Sequence, residues 1–290
     1  MLAKGRDDRH TMKKIAPNIY VSTGYPGVNV GFVALPAGAI AIDAPTLPRN
    51  ARAWRQQIEK TAEGPILYVI LTDAHPDRVL SVGLLGAPVV AARAAYDRMS
   101  LYTEGFRRGV IEGWDRRYPK VAGELADVPL TMPEILFTDS LTLHKGGEDV
   151  VVRSVAGGAP GSAWVRFQEQ DVLFAGDTLV VDTHPLMEAV PDTKAWLKTL
   201  KILRRASYSR TTIVPGRGPL CDQSATSPLS EYIALARRRA RSLRTAGRTR
   251  VDKAAAVAEL LSFFPVSDDE PELVQRRVKA GLDRLCEEAE

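Results

Sequence analysis

Apolar positions along the first two thirds of the chain come in short runs broken by Gly and Pro, the signature of strands rather than helices. Runs at 18–22, 28–35 and 39–43 are separated by turns such as Tyr25-Pro26-Gly27 and Pro36-Ala37-Gly38. A helix is predicted over 48–61, with Trp54 and Ile58 four apart on one face. The fully apolar segment 66–71 predicts a buried strand, followed by a helical stretch within 76–85 and a short strand at 88–91. Residues 92–127, with Tyr96, Met99, Tyr102, Phe106 and Trp114, predict helical or irregular structure whose aromatic series packs on the body of the fold. Strands resume at 141–143, 150–154, 163–167 and 171–174. A helix at 193–205 with Trp196, Leu197 and Leu200 inward and a last strand at 212–214 follow. Two blocks of strands, each followed by helix, predict an α/β chain built as a four-layer αββα sandwich.

After Asp222 the period changes to helical. Ser227 is an N-cap candidate with Pro228 at the first helical position and Gly247 as a stop. Leu229, Ile233, Ala236, Ala240 and Leu243 form one stripe. A second helix is predicted from Thr249 to Phe264-Pro265. A third spans about 271–286 with Leu273, Val274, Val278, Leu282 and Leu285 inward. The expected organisation is a disordered tail at 1–14 that includes His10, a domain at 15–226, and a C-terminal helical extension at 227–290 that serves packing or a homodimer contact. Met12 is a candidate start.

The chemistry concentrates at Leu71-Thr72-Asp73-Ala74-His75-Pro76-Asp77-Arg78, directly after the apolar strand. This run resembles the T-H-x-H-x-D-H loop of the metallo-β-lactamase superfamily, with Asp73 in the first histidine slot and Arg78 in the last, while His75 and Asp77 match. Four further segments resemble the family's motifs in order. Val28-Asn29-Val30 with Ala41-Ile42-Asp43 resembles the first hairpin, whose Asp braces the metal loop. Val155 to Ser162 resembles the G-H-T-P-G-S turn, with Gly158 in the histidine slot. Asp171 to Leu179 resembles V-L-F-x-G-D-x-L, with Asp177 in place of the carboxylate that bridges two metals. Val214-Pro215-Gly216-Arg217-Gly218-Pro219 resembles V-P-G-H-G-P, with Arg217 for the histidine. The resemblance covers about 15–221, implies the family's sandwich and extends to the helical tail, which is similar to that of many hydrolases in the superfamily.

The resemblance also implies a dinuclear metal site, and the residues in its slots do not supply one. A catalytic zinc needs about three protein ligands and an open position. Gly158 has no ligating side chain, and Arg78 and Arg217 have no lone pair to give. Without metal, Asp73, Asp77 and Asp177 would be like charges crowded together, and two guanidinium groups would replace the missing positive charge with forked hydrogen bonds. The expectation is a site without cofactor, bridged by Arg78 and Arg217, with hydrolysis lost or strongly altered. Two alternatives stay open. One is a hydrolase using a single divalent metal (Mn, Fe, Mg or Zn) on Asp73, His75, Asp77 and Asp177, with His184 as a further candidate ligand. In it Asp77 would orient the attacking water and Arg217 would stabilise developing negative charge. The other is a binder of small anions gripped by the two arginines.

Composition narrows the classes further. At 290 residues and 45% hydrophobic content the chain can bury a large core. No apolar run is long enough to span a membrane and no signal core is present. Cys221 and Cys286 have no ligand-like spacing, so a reduced, cytoplasmic protein is expected. The net charge of +4 concentrates in Arg237, Arg238, Arg239, Arg241, Arg244, Arg248 and Arg250. No aromatic residue is interleaved to stack bases, so a solvated helix face is expected rather than a nucleic-acid site, and the acidic segment 268–272 is a candidate partner for it.

Overall fold

The computed structural model describes residues 11–245, 250–266 and 270–288. Seven strands form the first sheet in sequence order: β1 (Lys13–Ala16), β2 (Ile19–Ser22), β3 (Val30–Leu35), β4 (Gly38–Ile42), β5 (Ile66–Ile70), β6 (Val89–Ala92) and β7 (Ile135–Phe137). Pairing is antiparallel through β4 and parallel from β4 to β7. The parallel steps require crossovers. These are α1 (Pro48–Ala62) between β4 and β5, α2 (Pro76–Val79) with a 3-10 turn at Val82–Leu85 before β6, and α3 (Arg93–Met99), α4 (Glu104–Arg117) and α5 (Val121–Ala126) before β7.

The second sheet runs β12-β11-β10-β9-β8, from β8 (Ser140–Lys145), β9 (Glu148–Ser154), β10 (Ala163–Phe167), β11 (Val172–Val180) and β12 (Thr212–Arg217). Its one parallel pair, β11 with β12, is bridged by α6 (Thr193–Leu203). Helices α7 (Thr226–Thr245), α8 (Arg250–Leu261) and α9 (Pro271–Glu287) complete the chain.

Strand alternation explains the layers. In β4, Ile40 and Ile42 face the second sheet, where they meet Val152, Val165, Phe174 and Val214. Ala39 and Ala41 face outward onto Trp54 and Ile58 of α1. Every residue of β4 and β11 is buried, as expected where both faces of a sheet are covered. The outer face of the second sheet, including Trp164, Leu173 and Ile213, packs on α6, α7, α8 and α9 in one core. The result is the expected four-layer αββα sandwich, with the helical extension forming part of the fourth layer.

Several boundaries differ from expectation. Strand β1 begins at Lys13, inside the segment expected to be a disordered tail; residues 1–10, with His10, lie outside the described residues. β11 continues six residues past Phe174 because it keeps pairing with β12 through two register shifts. The last helical region opens at Asp222 rather than Ser227: the Asp222 carboxylate accepts the Ser224 N–H at 2.7 Å, capping a 3-10 turn that runs into α7. Gly247, Arg248, Thr249 and Asp268 lie outside the described residues. Three of the stripe arginines are engaged within the fold. Arg239 pairs with Glu259 of α8, Arg237 with Glu288 at 3.7 Å, and Arg244 donates to the Glu288 carbonyl at 2.8 Å. Glu270 pairs instead with Arg117, at 3.3 Å. Both cysteines are free thiols, and no described helix is long and apolar enough to cross a membrane.

Candidate functional site

The site lies where the C-terminal ends of β4, β5, β11 and β12 meet. Asp43 follows β4 with a left-handed backbone (φ 56°), a conformation Asp tolerates. Its carboxylate accepts from the Thr72 N–H at 2.9 Å and the Thr72 hydroxyl at 2.6 Å, tying the loop after β5 to the end of β4. Thr46 donates to the Asp77 carbonyl at 2.6 Å, and Ser81 donates to the Thr46 carbonyl at 2.6 Å, fixing α2. Asn29 anchors the loop at the end of β12: its amide donates to the carbonyls of Pro215 and Gly218, both at 2.8 Å. These ties bring Asp73, His75, Asp77, Arg78, Asp177 and Arg217 together from three separate stretches of chain.

Arg78 is the centre. Its side chain has no exposed surface. It donates from Nη1 and Nη2 to Asp177 Oδ2 and Oδ1 at 3.1 and 2.7 Å, from Nε to Asp43 Oδ2 at 3.1 Å and to Thr72 Oγ1 at 3.0 Å, and lies 3.5 Å from Asp73 Oδ2. Arg217 donates from Nε to Asp177 Oδ2 at 3.2 Å and from Nη1 to Asp77 Oδ2 at 3.1 Å, leaving Nη2 at 3.4 Å from His75 Nδ1. The other Asp77 oxygen accepts from the Trp114 indole at 3.0 Å. Asp73 Oδ1 accepts the His75 N–H at 2.8 Å. Nδ1 of His75 accepts the Asp77 N–H at 3.2 Å, which puts the proton of the neutral ring on Nε2, 3.9 Å from Glu188 Oε1.

Burial alone would raise the pKa values of Asp177 and Asp77. Arg217 and Arg78 outweigh it at Asp177, as do His75, Arg217, Arg277 and Arg117 at Asp77, and both carboxyls are held well below the usual range. Burial likewise disfavours charge on Arg78, but Asp177, Asp73 and Asp43 overcome it and keep the guanidinium protonated. At Asp43 burial wins over Arg78 and Thr72, and its carboxyl is pushed up to about 6.

A metal does not fit this donor set. Both oxygens of Asp43, Asp77 and Asp177 receive protein hydrogen bonds, Asp73 Oδ2 pairs with Arg78, and His75 Nδ1 already accepts. Among the described residues no group of three or more His, Cys, Asp or Glu side chains is arranged to hold an ion. A histidine in the Gly158 slot would be crowded, since a Cβ there would lie 3.1 Å from Trp196 and 3.3 Å from two backbone carbonyls, which would have to give by a few tenths of an ångström. Gly216 is required by the bridge itself: a Cβ would sit 2.1 Å from Asp177 Oδ1 and 2.5 Å from Arg78 Nη2.

The remaining candidates fall differently. His184 is not joined to the aspartates; its ring packs edge-on against Tyr232 and Phe264, each at 5.7 Å between centroids, and lines an outer cavity. The aromatic insert does more than pack. Tyr102 donates to the Ala74 carbonyl, Trp114 holds Asp77, and Phe106 faces the cleft. Sequence reasoning missed Arg117, Glu188 and Arg277. The last is on α9, in the tail assigned to packing or a homodimer contact, and reaches within 3.9 Å of Asp77.

A family model described as the metallo-beta-lactamase superfamily matches residues 24–217. Among solved structures, the chain is similar to a metallo-beta-lactamase from Pontibacter korlensis (19% identity, TM-score 0.57, covering 77% of this chain and 98% of that one). It is also similar to a beta-lactamase domain protein from Burkholderia ambifaria (16% identity, TM-score 0.66, 94% and 88%). The stereoselective inverting sec-alkylsulfatase Pisa1 from Pseudomonas sp. aligns at 16% identity and TM-score 0.70 over 96% of this chain but only 50% of its own length. At these identities the solved structures establish the fold.

Proposed function

The chain belongs to the metallo-β-lactamase superfamily, and from that premise we propose that it is a metal-free member, with Arg78 and Arg217 in the role of the missing cations. Hydrolysis through a metal-activated water is then lost or strongly altered, and the retained cleft serves binding. The observation that carries this is the two-pronged contact of the buried Arg78 with both oxygens of Asp177. A dication about 4 Å from one such guanidinium would meet a repulsion of roughly 8 kcal/mol at an effective dielectric of about 20, twice the value for unit charges. The alternative of one Mn, Fe, Mg or Zn ion on Asp73, His75, Asp77 and Asp177 would find Asp73 Oδ2 without a hydrogen bond, but it requires the oxygens of Asp77 and Asp177 to give up the partners they have.

Both oxygens of the buried Asp77 already accept a hydrogen bond, and Arg217 pairs with Asp77 and Asp177, which counts against the hydrolytic roles that the resemblance implies. Elemental mass spectrometry on untagged protein dialysed without chelator tests the proposal. Less than about a tenth of an equivalent of any transition metal per chain is expected, whereas near one equivalent of Mn, Fe or Zn would overturn it, since structural and catalytic sites hold such ions tightly.

A further inference from the structure

Arg277 differs from the two central arginines. Its side chain is about three-quarters covered (24% exposed). Among the described residues no hydrogen bond reaches it, and its one carboxylate within 4 Å is Asp77 Oδ2 at 3.9 Å, already bonded to Arg217. Burial pulls its pKa below the ordinary arginine value, with Asp77 and Glu188 only partly opposing. A covered guanidinium with unused donors is costly unless an acceptor arrives.

Arg277 and Arg117 stand on the shared wall of two cavities. Arg117 is held flat over the Trp114 ring at 3.7 Å and steadied by Glu270, so its direction is fixed in advance. On one side lies a cavity of about 230 Å³, somewhat below the roughly 300–1,000 Å³ range of drug-sized sites and so suited to a small ligand. Its walls include Tyr102, Phe106, Trp114 and Leu273, and the carboxylates it meets, Asp77 and Glu188, face Arg217 and His75 respectively. Phe106 is one of two large hydrophobic side chains left exposed among the described residues, at 37%, and its ring packs at a tilt of 30° on Tyr102 with centroids 4.5 Å apart. On the other side five arginines (49, 116, 117, 217 and 277) face a single carboxylate, Glu270.

We propose that the smaller cavity is a ligand site for an amphipathic organic anion, whose acid group seats on Arg277 and Arg117 and whose apolar body lies among Tyr102, Phe106 and Leu273. Charge selects one end of the ligand and apolar area the other. The residues are contributed by the insert (α4) and the helical tail (α9), so both additions to the sandwich build one site. This goes beyond the metal-free reading and does not rest on it, because neither arginine belongs to the Asp177 bridge.

Isothermal titration of the full-length protein with octanoate, octanol and acetate separates the two ends. Octanoate is expected to bind about tenfold or more tightly than either octanol or acetate. Arg277→Gln is expected to weaken octanoate by about tenfold or more, as for loss of a charge-assisted contact, with Arg277→Lys recovering part of it. Phe106→Ser is expected to weaken octanoate and leave acetate unchanged. Acetate binding as tightly as octanoate, or octanoate unaffected by Arg277→Gln, would overturn the proposal. So would saturable binding of inorganic phosphate with no response to octanoate, which would assign the ligand to the arginine-lined cavity. Metal content measured on the same samples reports on the metal-free reading separately.

Discussion

Replacing Asp177 by Asn removes one negative charge from the middle of the arginine bridge while preserving its shape. The wild-type carboxylate accepts three charge-assisted hydrogen bonds, from Arg78 at 3.1 and 2.7 Å and from Arg217 at 3.2 Å. An amide retains one acceptor oxygen. Its NH2 must then face a guanidinium, donor against donor. Asp177 is 4% exposed and Arg78 is fully buried, so solvent cannot take over the lost role. Removing one partner from a buried pair costs about 3–5 kcal/mol, a large share of a total stability of roughly 5–15 kcal/mol. At about 2–3 °C per kcal/mol for a chain of this size, the melting temperature should fall by roughly 6–15 °C. Thermal and urea unfolding followed by circular dichroism measure this directly. The sign is diagnostic. If the aspartates were a cluster awaiting metal, neutralising one would relieve repulsion and stabilise the metal-free protein. An Asp177→Asn variant as stable as the parent, or more so, would therefore refute the bridge. A double-mutant cycle with Arg78→Met should return a coupling of about 1–3 kcal/mol.

Other consequences are equally open to measurement. Asp43, raised by burial to about 6, destabilises the fold when ionised, so its contribution is fully present below the unfolded value of about 4 and lost as pH rises through 6. Asp177 and Asp77 are depressed, so theirs is present above about 4 and lost as pH falls. Unfolding stability measured in urea should thus peak near pH 4 and fall between about pH 4 and 6 by up to about 1.4 kcal/mol per unit before levelling off, and Asp43→Asn should flatten that fall while leaving the acid limb. Restoring the family's histidine with Gly158→His should destabilise by about 1–3 kcal/mol through overpacking against Trp196. Elemental analysis of that variant should show no gain in metal, because Arg78 and Arg217 still occupy the aspartates.

The sandwich was legible because its strands alternate cleanly or are wholly apolar, and because the loops that follow them carry ordered motifs. What escaped was short, polar or distant. β1 reads Lys-Lys-Ile-Ala, with two charges and no apolar face, and is a strand only because β2 offers it an edge. β7 has three residues. The mutual contacts of Arg78, Arg217 and the aspartates followed from residue chemistry: two cations in slots that face carboxylates have few other places to go. Arg277 gave no such signal. It flanks the inward stripe of α9, next to Val278, and one arginine beside an apolar stripe looks like any solvated helix face. Only the placement of α9 beside α4 turns it toward Asp77. Trp114 packs as expected, but nothing local to its helix announces that its indole N–H also meets Asp77.

Arg78 joins Asp43 at the end of the first sheet to Asp177 within the second. The clasp between the two halves of the sandwich is therefore a side chain, attached to the backbone before folding begins. An ion in that position is in exchange with its surroundings and can be withdrawn by a chelator or by scarcity. A guanidinium arrives with every copy of the chain, in fixed stoichiometry, and stays protonated at any pH the fold survives. On the metal-free reading proposed above, this tie between the two sheets forms whatever the supply of metal when the protein is made.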